Sequence, residues 1–197
     1  MFTRFNNISK SLSPHNGLAE ELAIDDLKLL HHFTTKTSTT LDSVASQQHI
    51  WRESIIQIGF EHPFLLRGIL SISALHLATL TPGTNSNFVV QASNQYNLAL
   101  LEFRNVLLKI GEENCVAVFA FSCITAVHAF AVAQIQPPSD PTSDFLNCMR
   151  LVQGVGTVLQ PHYLALARSE LSPILQNGPK GGHQGQIPEI LHLKNLP

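Results

Sequence analysis

Apolar residues recur along this chain at the three- and four-residue spacing of a helix face, and nowhere at the two-residue alternation of a half-buried strand. From Ala19 to Phe33 they fall at Leu22, Leu27, Leu30 and Phe33, with Asp25 and Asp26 where negative charge favours a first turn. The hydroxyl-rich stretch from Thr34 to Ser43 competes for backbone hydrogen bonds and predicts a break. Trp51, Ile55 and Ile58 mark a second helix ending near Gly59. Pro63 occupies a first helical position, and the segment that follows to Leu80 is apolar on nearly every face, so it is predicted to be central. After Pro82-Gly83 a longer helix, Ser86 to Ile110, carries Tyr96, Ala99, Phe103 and Val106 on one side and Asn97, Glu102, Arg104 and Lys109 on the other.

Cys115 to Ala133 contains no charge over 19 residues, enough to cross a bilayer. Its high Ala content, the interruptions at Ser122, Thr125 and His128, and the lack of Lys/Arg and aromatic anchors at its ends instead favour a buried bundle helix and no membrane span. Asp140-Pro141 reads as an N-cap with a first-turn proline, and Phe145, Met149, Val152 and Val155 continue the helical period. A last helix is predicted from Pro161 to Leu175. The expected architecture is all-α, a multi-helix bundle of packed hairpins around a central apolar pair. Its parts are a flexible leader at 1–18, a helical domain at 19–176 and a Gly-rich tail at 177–197.

Composition sharpens this picture in two ways. Only 13% of residues are charged, about half the ordinary share, so much of the surface is Ser, Thr, Asn, Gln and His, which favours partners. The 12 Lys and Arg form no run, so no stripe suited to phosphates is present and direct nucleic-acid binding is not expected. Three cysteines, Cys115, Cys123 and Cys148, lie within apolar segments and read as reduced thiols of an intracellular chain.

Motifs for catalysis are sparse. Asp25-Asp26-Leu27-Lys28-Leu29 begins like an aspartate-rich magnesium box but lacks a third carboxylate. His31 and His32 are helix neighbours about 100° apart and cannot chelate one ion on one face. No zinc spacing, phosphate loop or nucleophile elbow occurs, so no metal, cofactor or catalytic residue is assigned. What stands out is an aromatic, uncharged helix bearing Phe119, Phe121 and Phe130, expected opposite the Phe64–Leu80 helix. Two such walls can enclose a greasy ligand, and Phe64, Ile72, His76, Phe119, Ser122 and His128 are its candidate lining. His76 and His128, set in apolar helices, are candidate polar contacts or pH-sensitive groups.

The order of several phrases carries a resemblance. Leu29-Leu30-His31-His32-Phe33-Thr34-Thr35 is followed by His62-Pro63-Phe64-Leu65, then Ala74-Leu75-His76-Leu77-Ala78, Tyr96-Asn97-Leu98-Ala99-Leu100 and Met149-Arg150-Leu151-Val152-Gln153-Gly154-Val155. From Leu27 to Leu175 the chain resembles the regulatory domain of fungal zinc-cluster transcription factors of the sterol uptake control type. The resemblance implies an all-helical effector domain that takes a sterol in a hydrophobic pocket and so controls transcription. It also implies a module of the nucleus or cytoplasm, able to dimerise with itself or with a full-length regulator. No Cys precedes Leu27 to form the family's DNA-reading zinc cluster, and the family pattern continues past the Gly-rich tail, so a module shortened at its C-terminal end is expected. The alternative is an enzyme or accessory protein of fungal secondary metabolism that uses the same apolar cavity for a terpenoid or polyketide.

Overall fold

A computed structural model of the chain describes residues 24–41, 47–81, 85–137 and 139–177. Among these residues there is no strand, and eight α-helices follow in order: α1 (Ile24–Thr35), α2 (Ile55–Glu61), α3 (Pro63–Leu80), α4 (Asn85–Leu107), α5 (Cys115–Ile135), α6 (Pro141–Leu159), α7 (Tyr163–Arg168) and α8 (Ser172–Asn177). The all-α expectation holds. The predicted leader at 1–18 and the tail beyond Asn177 lie outside the described residues.

Helix α3 is the axis of the bundle, with α1, α2, α4 and α5 packed around it. It starts where Pro63 follows His62, whose extended backbone (φ −129°, ψ 90°) is the conformation a residue before proline prefers. From Phe64 to Ala78 almost every position is buried. Its buried polar groups are all answered by neighbouring helices. Ser71 Oγ donates to the Ala92 carbonyl on α4 at 2.9 Å, and Ser73 Oγ donates to the Leu29 carbonyl on α1 at 2.6 Å. Left unpaired in this core, each hydroxyl would cost about 1–3 kcal/mol.

Against α5 the close approach is made by a glycine. A Cβ at Gly68 would lie 2.9 Å from Phe121 Cε2 and 3.0 Å from Ile124 Cγ2. Phe121 is fully buried between Phe64, Phe103 and Tyr96, so its ring cannot swing away. By length and composition α3 and α5 could each cross a membrane; here each is the other's apolar partner.

The predicted breaks have the expected causes. After α1 the hydroxyls of Thr34 and Thr35 both donate to the His31 carbonyl at 2.8 Å, and the chain continues as a tight 3₁₀ turn, Thr37–Thr40. The Asp140 side chain caps α6 by accepting from the backbone N–H groups of Thr142 and Ser143, each at 3.1 Å. Two details differ from expectation. The second helix opens with a π-helical turn, Ile50–Ser54, whose wider winding buries Ile50, Trp51 and Ser54 together. The single helix predicted from Pro161 to Leu175 is instead a 3₁₀ turn (Gln160–His162), α7 and α8. Ser169 breaks it: its backbone is extended (ψ 166°), its Oγ donates to the Leu166 carbonyl at 2.7 Å, and the same oxygen accepts from Leu171 N–H at 3.3 Å.

The packing argument assigns opposite signs to two glycine substitutions. In denaturant unfolding, Gly68→Val is expected to lower stability by about 2 kcal/mol or more through overpacking. Gly154→Ala, on an exposed face of α6 with nothing within 4 Å of its Cβ position, is expected to raise it by about 0.5–1 kcal/mol. Equal effects at the two positions would contradict the account.

Candidate functional site

The six residues proposed as a pocket lining are carried by α3 (Phe64, Ile72, His76) and α5 (Phe119, Ser122, His128). Phe64 and Ile72 lie in the main core and Ser122 donates back to the Phe119 carbonyl at 2.6 Å. Phe119 is half-buried at the edge of the same core. His76 Nδ1 lies 3.3 Å from His32 Nε2 of α1 and 2.9 Å from Thr37 Oγ1.

What the fold builds instead is a ladder of rings through the α3–α4–α5 interface. Phe64 meets Phe103 and Phe121 with ring centroids 5.6 and 5.5 Å apart, and Phe103 and Phe121 are 4.6 Å apart. Phe121 continues to Tyr96 at 6.2 Å, and Tyr96 stacks on His128 at 3.7 Å with the two planes within 10°. Tyr96, Phe103 and Phe121 are the members that the candidate lining omits. Their signal was in the helical spacing of α4, where Tyr96 and Phe103 are seven residues apart and share a face.

His128 ends this ladder, and its Nε2 is buried without a hydrogen-bond partner among the described residues. Burial holds its imidazole neutral, with the pKa pushed down to about 4. Beyond this point α5 changes character. All its fully buried residues lie between Cys115 and Ile124, whereas Thr125 to Ala133 are only half-covered. Val132 and Ile135 lean towards α3, while Phe130 meets Phe145 of α6 with centroids 6.0 Å apart. Phe145 and Leu146 remain 43% and 48% exposed, so α5 and α6 share an apolar surface that the described chain leaves open.

The remaining candidate chemistry is absorbed by structure. Asp25 pairs with Lys28 at 2.8 Å, and Asp26 accepts from Gln95 Nε2 at 2.7 Å. Gln95 in turn accepts from Arg67 Nη1 at 3.1 Å, and Arg67 Nε lies 3.5 Å from Glu102, so this polar chain ties α1, α3 and α4 together. An open cleft of about 480 Å³ beside it is lined by Asp25, Lys28, Leu29, Leu77, Phe88 and Gln91, away from the proposed lining. Cys115 and Cys123 are free thiols; burial raises the Cys115 thiol and pushes Cys123 up to about 12, so both are protonated and unreactive at neutral pH. The side chain of Cys148 lies outside the description.

Residues 28–136, from within α1 to the residue after α5, match the family described as the fungal specific transcription factor domain. The chain belongs to this family. It is 30% identical over 128 residues to sterol uptake control protein 2 of Candida albicans, covering 64% of this chain and 17% of that protein. With sterol uptake control protein 2 of Saccharomyces cerevisiae it shares 33% identity over 114 residues, 57% of this chain and 12% of the other. A Zn(2)-C6 fungal-type transcription factor of Gibberella zeae is 29% identical over 165 residues, 76% of this chain and 33% of that protein. The chain thus spans a third or less of the length of these relatives. Within the fungal transcription factor domain, the match ends where the open α5–α6 surface begins to be flanked by α6.

The depressed His128 pKa has a defined sign in stability. Above pH 6.5 the imidazole is neutral in both states and the full stability is present. As pH falls from 6.5 towards 4 the unfolded chain takes up a proton that the folded one refuses, and stability drops by up to about 1.4 kcal/mol per pH unit. His32 and His76, whose pKa values are also lowered by burial first, act in the same direction. His128→Phe, which keeps a ring against Tyr96, is expected to flatten the stability–pH curve between pH 6.5 and 4; an unchanged slope would contradict the assignment.

Proposed function

We propose that this chain is a regulatory module of a fungal transcription regulator and that it responds to an apolar molecule of the sterol class. It works without contacting DNA itself, in the nucleus or the cytoplasm. The observation that carries this reading is the open, uncharged surface shared by α5 and α6, where Phe130 packs on Phe145 and Phe145 and Leu146 stay 43% and 48% exposed. The rigid apolar body of a sterol would supply the cover that this surface lacks among the described residues. Further support comes from two relatives that are named as sterol uptake control proteins.

A second reading, self-association, is favoured by a different observation. Val158, Tyr163 and Leu164 at the α6–α7 junction are 47%, 55% and 68% exposed, apolar positions suited to another protein surface. Sedimentation of the purified chain distinguishes the two, since ligand binding leaves the mass unchanged.

Titration with a fluorescent sterol tests the main reading. Saturable one-to-one binding is expected, weakened at least tenfold by Phe130→Asp, which places a charge on the apolar wall. A folded wild-type chain that shows no saturable binding overturns the proposal.

A further inference from the structure

Two histidines from different helices meet at the end of α1: His32 Nε2 lies 3.3 Å from His76 Nδ1 on α3, and Thr37 Oγ1 of the following 3₁₀ turn lies 2.9 Å from the same His76 nitrogen. A bond between two imidazole nitrogens needs one proton and one lone pair. It therefore forms when both rings are neutral or when one is charged, and it has no acceptor once both are charged. We propose that this contact is an acid-sensitive latch, which holds α1 against α3 and lets α1 separate when both rings carry a proton. The latch is independent of the sterol reading.

The architecture allows α1 to leave as a unit. Its hold on α3 consists of Leu29 and Phe33, both buried, the bond from Ser73 Oγ to the Leu29 carbonyl, and the histidine contact. Leu29 packs in a small cluster with Leu70, Ala74 and Leu75, separate from the main core. Helix α3 remains packed by α2, α4 and α5 when α1 is gone, so opening here is local. Its result is an uncovered apolar strip on α3.

Nothing around the pair offsets a second positive charge. From α1 and its end come His31, exposed and about 100° round the helix, and Lys36, also exposed, both of which oppose protonation of His32. The 3₁₀ turn Thr37–Thr40 has no charged residue. On the π-helical turn Arg52 and Glu53 pair with each other at 2.9 Å, with His49 just before them. On α3 the other charge is Arg67, which lies 3.5 Å from Glu102 of α4. The acids of α1 are engaged as well, Asp25 with Lys28 and Asp26 with Gln95. Helix α5 contributes His128, which stacks on Tyr96.

The sign of the response follows. Burial first, and then the charge of His32 at His76 and of Lys36 and His31 at His32, lower both pKa values in the closed state. In the released helix both rings regain the ordinary value of about 6.5. The latch is therefore fully closed above pH 6.5, and below it the opening constant rises by up to about tenfold per pH unit for each proton the closed pair excludes.

Hydrogen exchange of the full chain at pH 7.0 and 5.5, corrected for the intrinsic rates, tests the latch. Protection of the Leu29 to Phe33 amides is expected to fall about tenfold or more relative to that of Leu65 to Ile69 on α3. His76→Asn, which places an amide oxygen where Nδ1 was, and His32→Gln, which keeps an N–H donor at the reach of Nε2, are each expected to abolish that relative fall. An equal loss of protection on α1 and α3, or an unchanged fall in both variants, would overturn the proposal. Should neither variant fold, imidazole ¹⁵N titration of the wild-type chain decides: His32 and His76 are expected to titrate in two coupled steps with the second below pH 6.5, and independent single steps near 6.5 would refute the latch.

Discussion

Where α3 crosses α5, Gly68 lies against the ring of Phe121 and the branched side chain of Ile124, and not even one methyl group fits between them. That approach lets two strongly apolar helices close on each other along their first halves. Once Phe121 is seated over Gly68, it meets Phe64, Phe103 and Tyr96, each such ring pair adding about 0.5–1.5 kcal/mol beyond burial. The small residues of α3 serve the same end elsewhere. Ser71 and Ser73 bring α4 and α1 close enough for a side-chain oxygen to reach a backbone carbonyl, so the axis of the bundle is polar where it touches helices that need it.

The same contact explains why α5 is a helix of two kinds. Its first half is sealed against α3, whereas among the described residues its second half is only half-buried, with Val132 and Ile135 packed on the cluster of Leu29, Leu70 and Leu75 and Phe130 against Phe145 of α6. A surface that is uncharged, aromatic and open is costly in water. His128, whose Nε2 has no hydrogen-bond partner among the described residues, lies at the boundary between the two halves, where the ring ladder ends. Architecture and candidate site are therefore one arrangement.

Much of this was legible in the residues. The apolar spacing placed α3 and α5 at the centre, Asp140-Pro141 marked a cap, and the threonine cluster marked a break, because each rests on short-range chemistry. Long-range pairing was not legible. The candidate lining named His76 with Phe64 and His128, but His76 bonds to His32 of α1, 44 residues earlier, a relation that no local spacing encodes. The break at Ser169 was missed because a serine competes for backbone groups only when the chain around it permits extension. Arg67 drew no notice as a lone charge in an apolar helix, yet it organises Gln95, Asp26 and Glu102.

Hydrogen exchange resolved along α5, in aqueous buffer without detergent or ligand, tests the central claim most directly. The account predicts that amides from Val118 to Ile124 exchange as slowly as those of α3, and that amides from Ala129 to Ile135 exchange faster by roughly tenfold or more. Uniform protection along the whole of α5 would contradict it, because the second half would then be as firmly held as the half locked over Gly68.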